Sequence, residues 1–256
     1  MPRSIHPVAE DVITTGRVPL GDGRVMAADS FVSRESCALL YDVVERSGAR
    51  QGVEVGMAFA VSTVCLADAL RRVAGTSARL ISFDPTQTHS DSWNSAGLAQ
   101  LARAGLSDVV ELREETSQRG LPRLADSGYR CQIGFIDGWH TFDHTLVDFF
   151  YIDQMLDVGG HMVFDDTLYP SIHSVVRFVL TNRNYELAAM DTVPSHDGAL
   201  LRARRAGKRL LRRLAATDRD PRPEHAATLR PIASARLVAL RKIGEDGRRF
   251  DHYAPF

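Results

Sequence analysis

Two runs decide the reading of this chain: Ile133-Gly134-Phe135-Ile136-Asp137-Gly138-Trp139-His140, and Gly159-Gly160-His161-Met162-Val163-Phe164-Asp165-Asp166-Thr167. Each is a short apolar segment that stops on an acid, the form of a buried strand whose end opens onto a polar site. Working outward, the same form recurs. Gly52-Val53-Glu54-Val55 reads as a strand ending at Gly56, Leu80-Ile81-Ser82-Phe83 as one ending at Asp84, and Val109-Val110-Glu111-Leu112 as a third. Helical patterns fall between them: Ser62 to Val73, about Ser95 to Ala104, about Phe142 to Leu156 with Gly159-Gly160 as the breaker, and about Ile172 to Asn182. A helix capped by Ser33 and ending near Ser47-Gly48 precedes the first strand. This alternation predicts βαβ units, hence an α/β fold with a mostly parallel sheet and helices on both faces. Ala235 to Leu240 reads as a final strand, and residues 1–30 look irregular, with turn signals at Gly21-Asp22-Gly23.

In the 256-residue chain, 44% of residues are hydrophobic and 25% charged, so a sizeable core can be buried. A formal net charge of −1 gives no global positive field, so nucleic acid is not expected as a partner. The cysteines Cys37, Cys65 and Cys131 show neither zinc spacing nor a disulfide framework and are expected as buried thiols in a reducing cytosol. The opening MPRSIHPVAEDV lacks a signal-peptide run, and no apolar stretch approaches the roughly 20 residues of a membrane span. A cytoplasmic protein without an integral membrane segment is expected. The boundaries are read as an N-terminal extension and helix over 1–49 contributing to a substrate pocket, a core over 50–199, a basic helical insertion over 200–230, and a final strand and tail over 231–256. The run RARRAGKRLLRR at 202–213 is read as a solvated amphipathic face packing on the body or a second subunit, ahead of contact with an acidic partner, a membrane surface or a polyanion.

In a parallel sheet, ligands bind beyond the carboxyl ends of the strands. Gly56 allows a sharp turn and close backbone approach there, and the helix from Ser62 aims free N–H groups at a ligand carboxylate. Neither GxGxxG nor GxxxxGK[ST] is present, so a cofactor without phosphate fits better than a dinucleotide. Asp84 is placed to accept from ribose hydroxyls, Ser117 to meet an adenine edge, and Trp139 to pack on the adenine face, the alternative for Trp139 being plain core packing. Asp137, Asp165 and Asp166 end neighbouring strands and would repel one another unless a hard divalent cation joined them, with magnesium first and manganese or another divalent cation possible. His140 is the first candidate for a general base and His144 the second, with Asp143, His161 and His173 behind them.

The ordered set of motifs resembles metal-dependent class I O-methyltransferases of the macrocin and sugar O-methyltransferase-like group, and more distantly catechol O-methyltransferase. The matching run is Val53-Glu54-Val55-Gly56 with Ser62, Phe83-Asp84-Pro85, Thr116-Ser117-Gln118 with Leu121-Pro122, Phe135 through His140, Gly159-Gly160, and Phe164-Asp165-Asp166-Thr167. The resemblance implies a Rossmann-like seven-stranded sheet and S-adenosylmethionine as cofactor. It implies Glu54, Gly56, Met57 and Ser62 near the methionine end, Asp84 at the ribose, Ser117 and Trp139 at the adenine, and Asp137 at the donor site. Asp137, Asp165 and Asp166 would be the metal ligands. The activity it implies is methyl transfer to a hydroxyl of a small, sugar-like acceptor, or to a catechol-like phenol, by a homodimer. His140 falls where catechol O-methyltransferase carries a lysine base, and Ala60 stands where relatives often have glycine. The competing readings are a nicotinamide-dependent oxidoreductase, which the missing glycine fingerprint disfavours, and a silent binding module, which the intact acidic set disfavours.

Overall fold

The computed structural model describes residues 3–191, 232 and 234–256. The expected basic insertion lies outside the described residues. Seven strands form one sheet: β3 (Gln51–Val55), β4 (Arg79–Phe83), β5 (Val110–Arg113), β6 (Cys131–Ile136), β7 (Leu156–Phe164), β8 (Tyr185–Met190) and β9 (Val238–Lys242). Their order is β5-β4-β3-β6-β7-β9-β8. Pairing is parallel from β5 through β7, and β9 runs antiparallel to both β7 and β8. The chain leaves β3 toward β4 on one side and returns to its other side with β6. That reversal opens a crevice at the carboxyl ends of β3 and β6.

Helices cover both faces. On one side lie α1 (Pro7–Thr15), α2 (Arg34–Ser47), α3 (Val61–Ala74) and α4 (Ala96–Ala104), packed through Val12, Leu40, Tyr41, Leu66 and Leu70. On the other lie α5 (Ser117–Asp126), α6 (Phe142–Met155) and α7 (Pro170–Asn182), packed through Leu121, Phe149, Phe164 and Val176. Strand alternation sorts the central residues between these cores. Val53 and Val55 face the α5–α7 side, leaving Glu54 on the α3 side, where Ser82 of β4 lies within hydrogen-bond reach.

The expected α2 has its Ser33 cap, whose hydroxyl accepts from the Ser36 N–H at 3.0 Å, and its left-handed Gly48 end. Most of residues 7–27, expected to be irregular, form a helix and a hairpin. Pro7 at the first helical position and His6 as N-cap start α1, and Gly16 ends it. The hairpin β1 (Arg17–Pro19) and β2 (Val25–Ala27) turns at the Gly21-Asp22-Gly23 signal. Helix α5 and strand β8 were not expected. The Gly159-Gly160 pair lies inside β7 rather than before it, where the β6–β7 register shifts between Cys131 and Ile133. The final strand starts at Val238, three residues later than the sequence suggests. All three cysteines are buried free thiols. Among the described residues, no helix is long and apolar enough to cross a membrane.

Candidate active site

The crevice is a cavity of about 530 Å³, in the range of small-molecule sites. Its floor is the turn after β3. Gly56 has φ +93°, and a Cβ there would drive into the Asp137 carbonyl, so only glycine lets β3 and β6 end side by side. Ala58 and Ala60 both have positive φ, at 45° and 59°. Ala60 is the N-cap of α3 and offers no side-chain hydrogen bond, and Val61 and Ser62 of the first turn line the cavity. An uncapped helix start presents free N–H groups and partial positive charge to an anionic ligand.

Met57, Ser62, Asp84, Ser117, Asp137, Trp139, His140 and His144 all line this cavity, with Gly56. Glu54 does not; it lies behind the wall. Its carboxylate accepts from the Ser62 hydroxyl at 2.9 Å and the Ser82 hydroxyl at 2.6 Å. Burial pushes its pKa up to about 7, against the pull of those hydroxyls. Asp84 accepts from the Ala58 N–H at 2.9 Å and the Thr86 N–H at 3.1 Å. Beside it, buried Gln87 donates to the Ala58 carbonyl at 3.0 Å and accepts from the Gly97 N–H at 2.9 Å. Gln87 therefore fastens the β3 turn to the start of α4, a role its sequence neighbourhood did not reveal.

Ser117 opens α5. Beneath it, Asp148 of α6 is buried with Oδ1 lacking a partner among the described residues, and burial raises its pKa to about 6 while a hydrogen bond from Ser117 opposes the rise. Trp139 is not a core residue; it is 73% exposed on the cavity rim, with its ring centroid 6.4 Å from that of His144. The Thr141 hydroxyl donates its one proton to Asp143 at 2.6 Å, so His144 Nδ1 is the donor to Thr141 Oγ1 at 2.9 Å. In the neutral ring, Nε2 then carries the free lone pair. Asp143, His161 and His173 do not line the cavity.

At the tips of β6 and β7, one ligand atom from each of Asp137, His140 and Asp166 lies within 4.8 Å of the others. His140 Nε2 is 3.2 Å from Asp137 Oδ1, and Nδ1 is 3.6 Å from Asp166 Oδ2. Its hydrogen bond to Asp137 raises the imidazole pKa against burial, and the charges of Asp137, Asp166 and Asp165 add to the rise. Ser171 donates to the His140 carbonyl at 2.8 Å, and Tyr169 stacks on the ring at 5.5 Å. Asp166 sits at φ +52°.

The third expected carboxylate, Asp165, does not line the cavity. It is 1% exposed, Oδ1 has no partner among the described residues, and burial followed by the Asp137 charge lifts its pKa well above the usual carboxylate range. Its neighbour is Arg236, absent from the sequence reading. The guanidinium lies 3.4 Å from Asp165 Oδ2 and 3.5 Å from Asp166 Oδ1. Arg236 thus takes up part of the negative charge that suggested a cation. Three carboxylates share this one guanidinium and His140, so the donor set still fits a hard divalent ion.

Residues 53–167, a little under half of the chain, match the family described as "Methyltransferase domain". No curated protein matches the chain. Solved structures share its Rossmann-like α/β fold at low identity. The O-methyltransferase from Bacillus cereus in complex with SAH is 17% identical, with 94% of this chain and 93% of that one covered and a TM-score of 0.60. Cofactor-bound Rv0187 from MTB is 14% identical, with 93% and 88% covered and a TM-score of 0.59. The O-methyltransferase TomG from Streptomyces achromogenes, involved in tomaymycin synthesis and in complex with SAM, is 20% identical, with 65% and 77% covered and a TM-score of 0.53.

Proposed function

We propose that this methyltransferase domain transfers a methyl group from S-adenosylmethionine to a hydroxyl of a small sugar-like acceptor, with a divalent cation at Asp137 and Asp166. The observation that carries the reading is the convergence of Asp137, His140 and Asp166 beside the Gly56 turn in one cavity. The bound SAM and SAH of the similar structures support the cofactor. The sulfonium supplies an electrophilic methyl group, and a bound divalent cation supplies Lewis acidity that lowers the pKa of an acceptor hydroxyl.

The chain's own residues do the rest. The α3 N-terminus and Ser62 hold the amino-acid end, with Glu54 fixing the Ser62 hydroxyl from behind. Asp84 has already spent acceptor capacity on backbone N–H groups, which fixes its carboxylate in place for the ribose hydroxyls. Ser117 and the exposed Trp139 border the adenine. Phe31 lines the cavity with an apolar ring suited to a sugar face. The acceptor's proton passes to His140, with His144 as the alternative acceptor through its free Nε2. The products are the methyl ether and adenosylhomocysteine, with the proton on the imidazole.

A methyl-transfer screen over sugar and phenol acceptors, with and without EDTA, tests the reading. Turnover of a sugar acceptor that EDTA abolishes is expected. EDTA-resistant turnover refutes the metal, and turnover confined to phenols refutes the acceptor class.

A further inference from the structure

The acidic cluster carries a charge partner that the methyltransferase-domain segment does not supply. Arg236 precedes β9, about 70 residues beyond Asp166, and two contacts hold it there. Its backbone N–H and that of Leu237 donate to Asp191 Oδ1 at 2.8 and 2.7 Å, and its guanidinium donates to the Phe31 carbonyl at 3.1 Å. Thr167, next to Asp166, fastens the same segment as donor: its N–H donates to the Arg236 carbonyl at 2.8 Å and its hydroxyl to the Ala235 carbonyl at 2.7 Å. The guanidinium is therefore delivered to Asp165 and Asp166 by a fixed backbone.

The pairing is nonetheless loose. Both ion-pair distances exceed the 2.7–2.9 Å of a good charge-assisted hydrogen bond. Arg236 Nε and Asp165 Oδ1, a buried donor and a buried acceptor, have no hydrogen-bond partner among the described residues. A purely structural buried ion pair is stable only when such atoms are satisfied. The guanidinium contacts Asp165 and Asp166 from one side, so Asp137 and Asp166 stay partly exposed on the cavity side.

We propose that Arg236 is the resident cation of this cluster: it holds Asp165 and Asp166 together without metal and, by repulsion, weakens divalent-cation binding at Asp137 and Asp166. The inference rests on the proposed metal site. Its test is isothermal titration of the full chain with Mn²⁺, together with melting in EDTA and in Mn²⁺. Wild type, Arg236→Met and Arg236→Lys are compared, with adenosylhomocysteine binding as the control for folding. R236M is expected to bind Mn²⁺ at least tenfold more tightly than wild type, to melt lower in EDTA, and to recover in Mn²⁺. R236K keeps the charge and is expected to stay within threefold of wild type. Should R236M not fold, R236Q, which can still donate to the Phe31 carbonyl, takes its place.

R236M that binds adenosylhomocysteine normally, and Mn²⁺ no more tightly than wild type, overturns the inference and leaves the metal site standing. Absence of Mn²⁺ binding in both wild type and R236M overturns the metal site and the inference with it. Binding that appears only in R236M supports the inference.

Discussion

Replacing Glu54 by Gln gives a stability effect whose size and sign follow from one buried carboxyl. Glu54 is fully buried, and its pKa lies at about 7, against 4.5 for the free side chain. The raised value means that the folded state keeps a proton which the unfolded state has released. Linkage then makes stability fall as pH rises from about 4.5 to about 7, with the favourable contribution present below that window and lost above it. A shift of this size corresponds to about 3 kcal/mol, at about 1.4 kcal/mol per unit. Gln cannot ionise, so the stability of E54Q relative to wild type should rise by about 3 kcal/mol between pH 4.5 and pH 8. Differences measured between the two proteins remove the titration of every other carboxylate. In melting experiments the relative midpoint should move by roughly 6–12 °C for a domain of this size. One of the Ser62 and Ser82 hydroxyls can rotate to accept from the Gln amide N–H while the other still donates to its carbonyl, so a constant offset of either sign is compatible with the argument. A relative stability that does not change with pH refutes it, because the buried carboxyl would then titrate equally in both states.

Four further outcomes follow from the site. Asp166→Asn keeps a residue that tolerates the left-handed backbone and should lower turnover at least about 100-fold while adenosylhomocysteine binding by calorimetry stays near wild type; wild-type turnover removes Asp166 from the metal site. A base matters most where the acceptor hydroxyl cannot ionise unaided, so His140→Ala should lose most activity near pH 7 and less at high pH; a mutant-to-wild-type ratio flat across pH removes it as the base. Gly56→Ala puts a methyl against the Asp137 carbonyl at a positive φ, which should cost at least about 2 kcal/mol in denaturant unfolding and abolish cofactor binding. In thermal-shift measurements adenosylhomocysteine should raise the melting point, by about 2.7 kcal/mol of stabilisation at 100 times its Kd, and NAD should not; the reverse order favours an oxidoreductase.

The parallel core was legible because its strands are short apolar runs closed by Gly56, Asp84, Asp137 and Asp165, with amphipathic helices between them. What escaped was decided by tertiary partners. Tyr185–Met190 is made mostly of good helix formers, yet its pairing with β9 makes it a strand. Helix α5 contains Gly120 and Pro122, both poor in helices, but Gly120 is what lets the helix pack against the Phe83 ring. In the site, residues at strand tips were readable because topology alone gathers them. Arg236, Gln87 and Asp148 were not, since their roles depend on burial and on partners 10 to 205 positions away. The place of Glu54 behind Ser62 was likewise invisible, because strand alternation fixes only which face it takes.

The position of β9 between β7 and β8 has a consequence for biogenesis. The sheet cannot close in the order of synthesis: β7 and β8 must wait, unpaired along facing edges, until residue 242 has been made. Open edges of that kind invite pairing with other chains, so a nascent or clipped product lacking Val238–Lys242 should be prone to aggregate. The same wait delays the arrival of Arg236, and the pocket acquires its positive side chain only as the sheet is sealed.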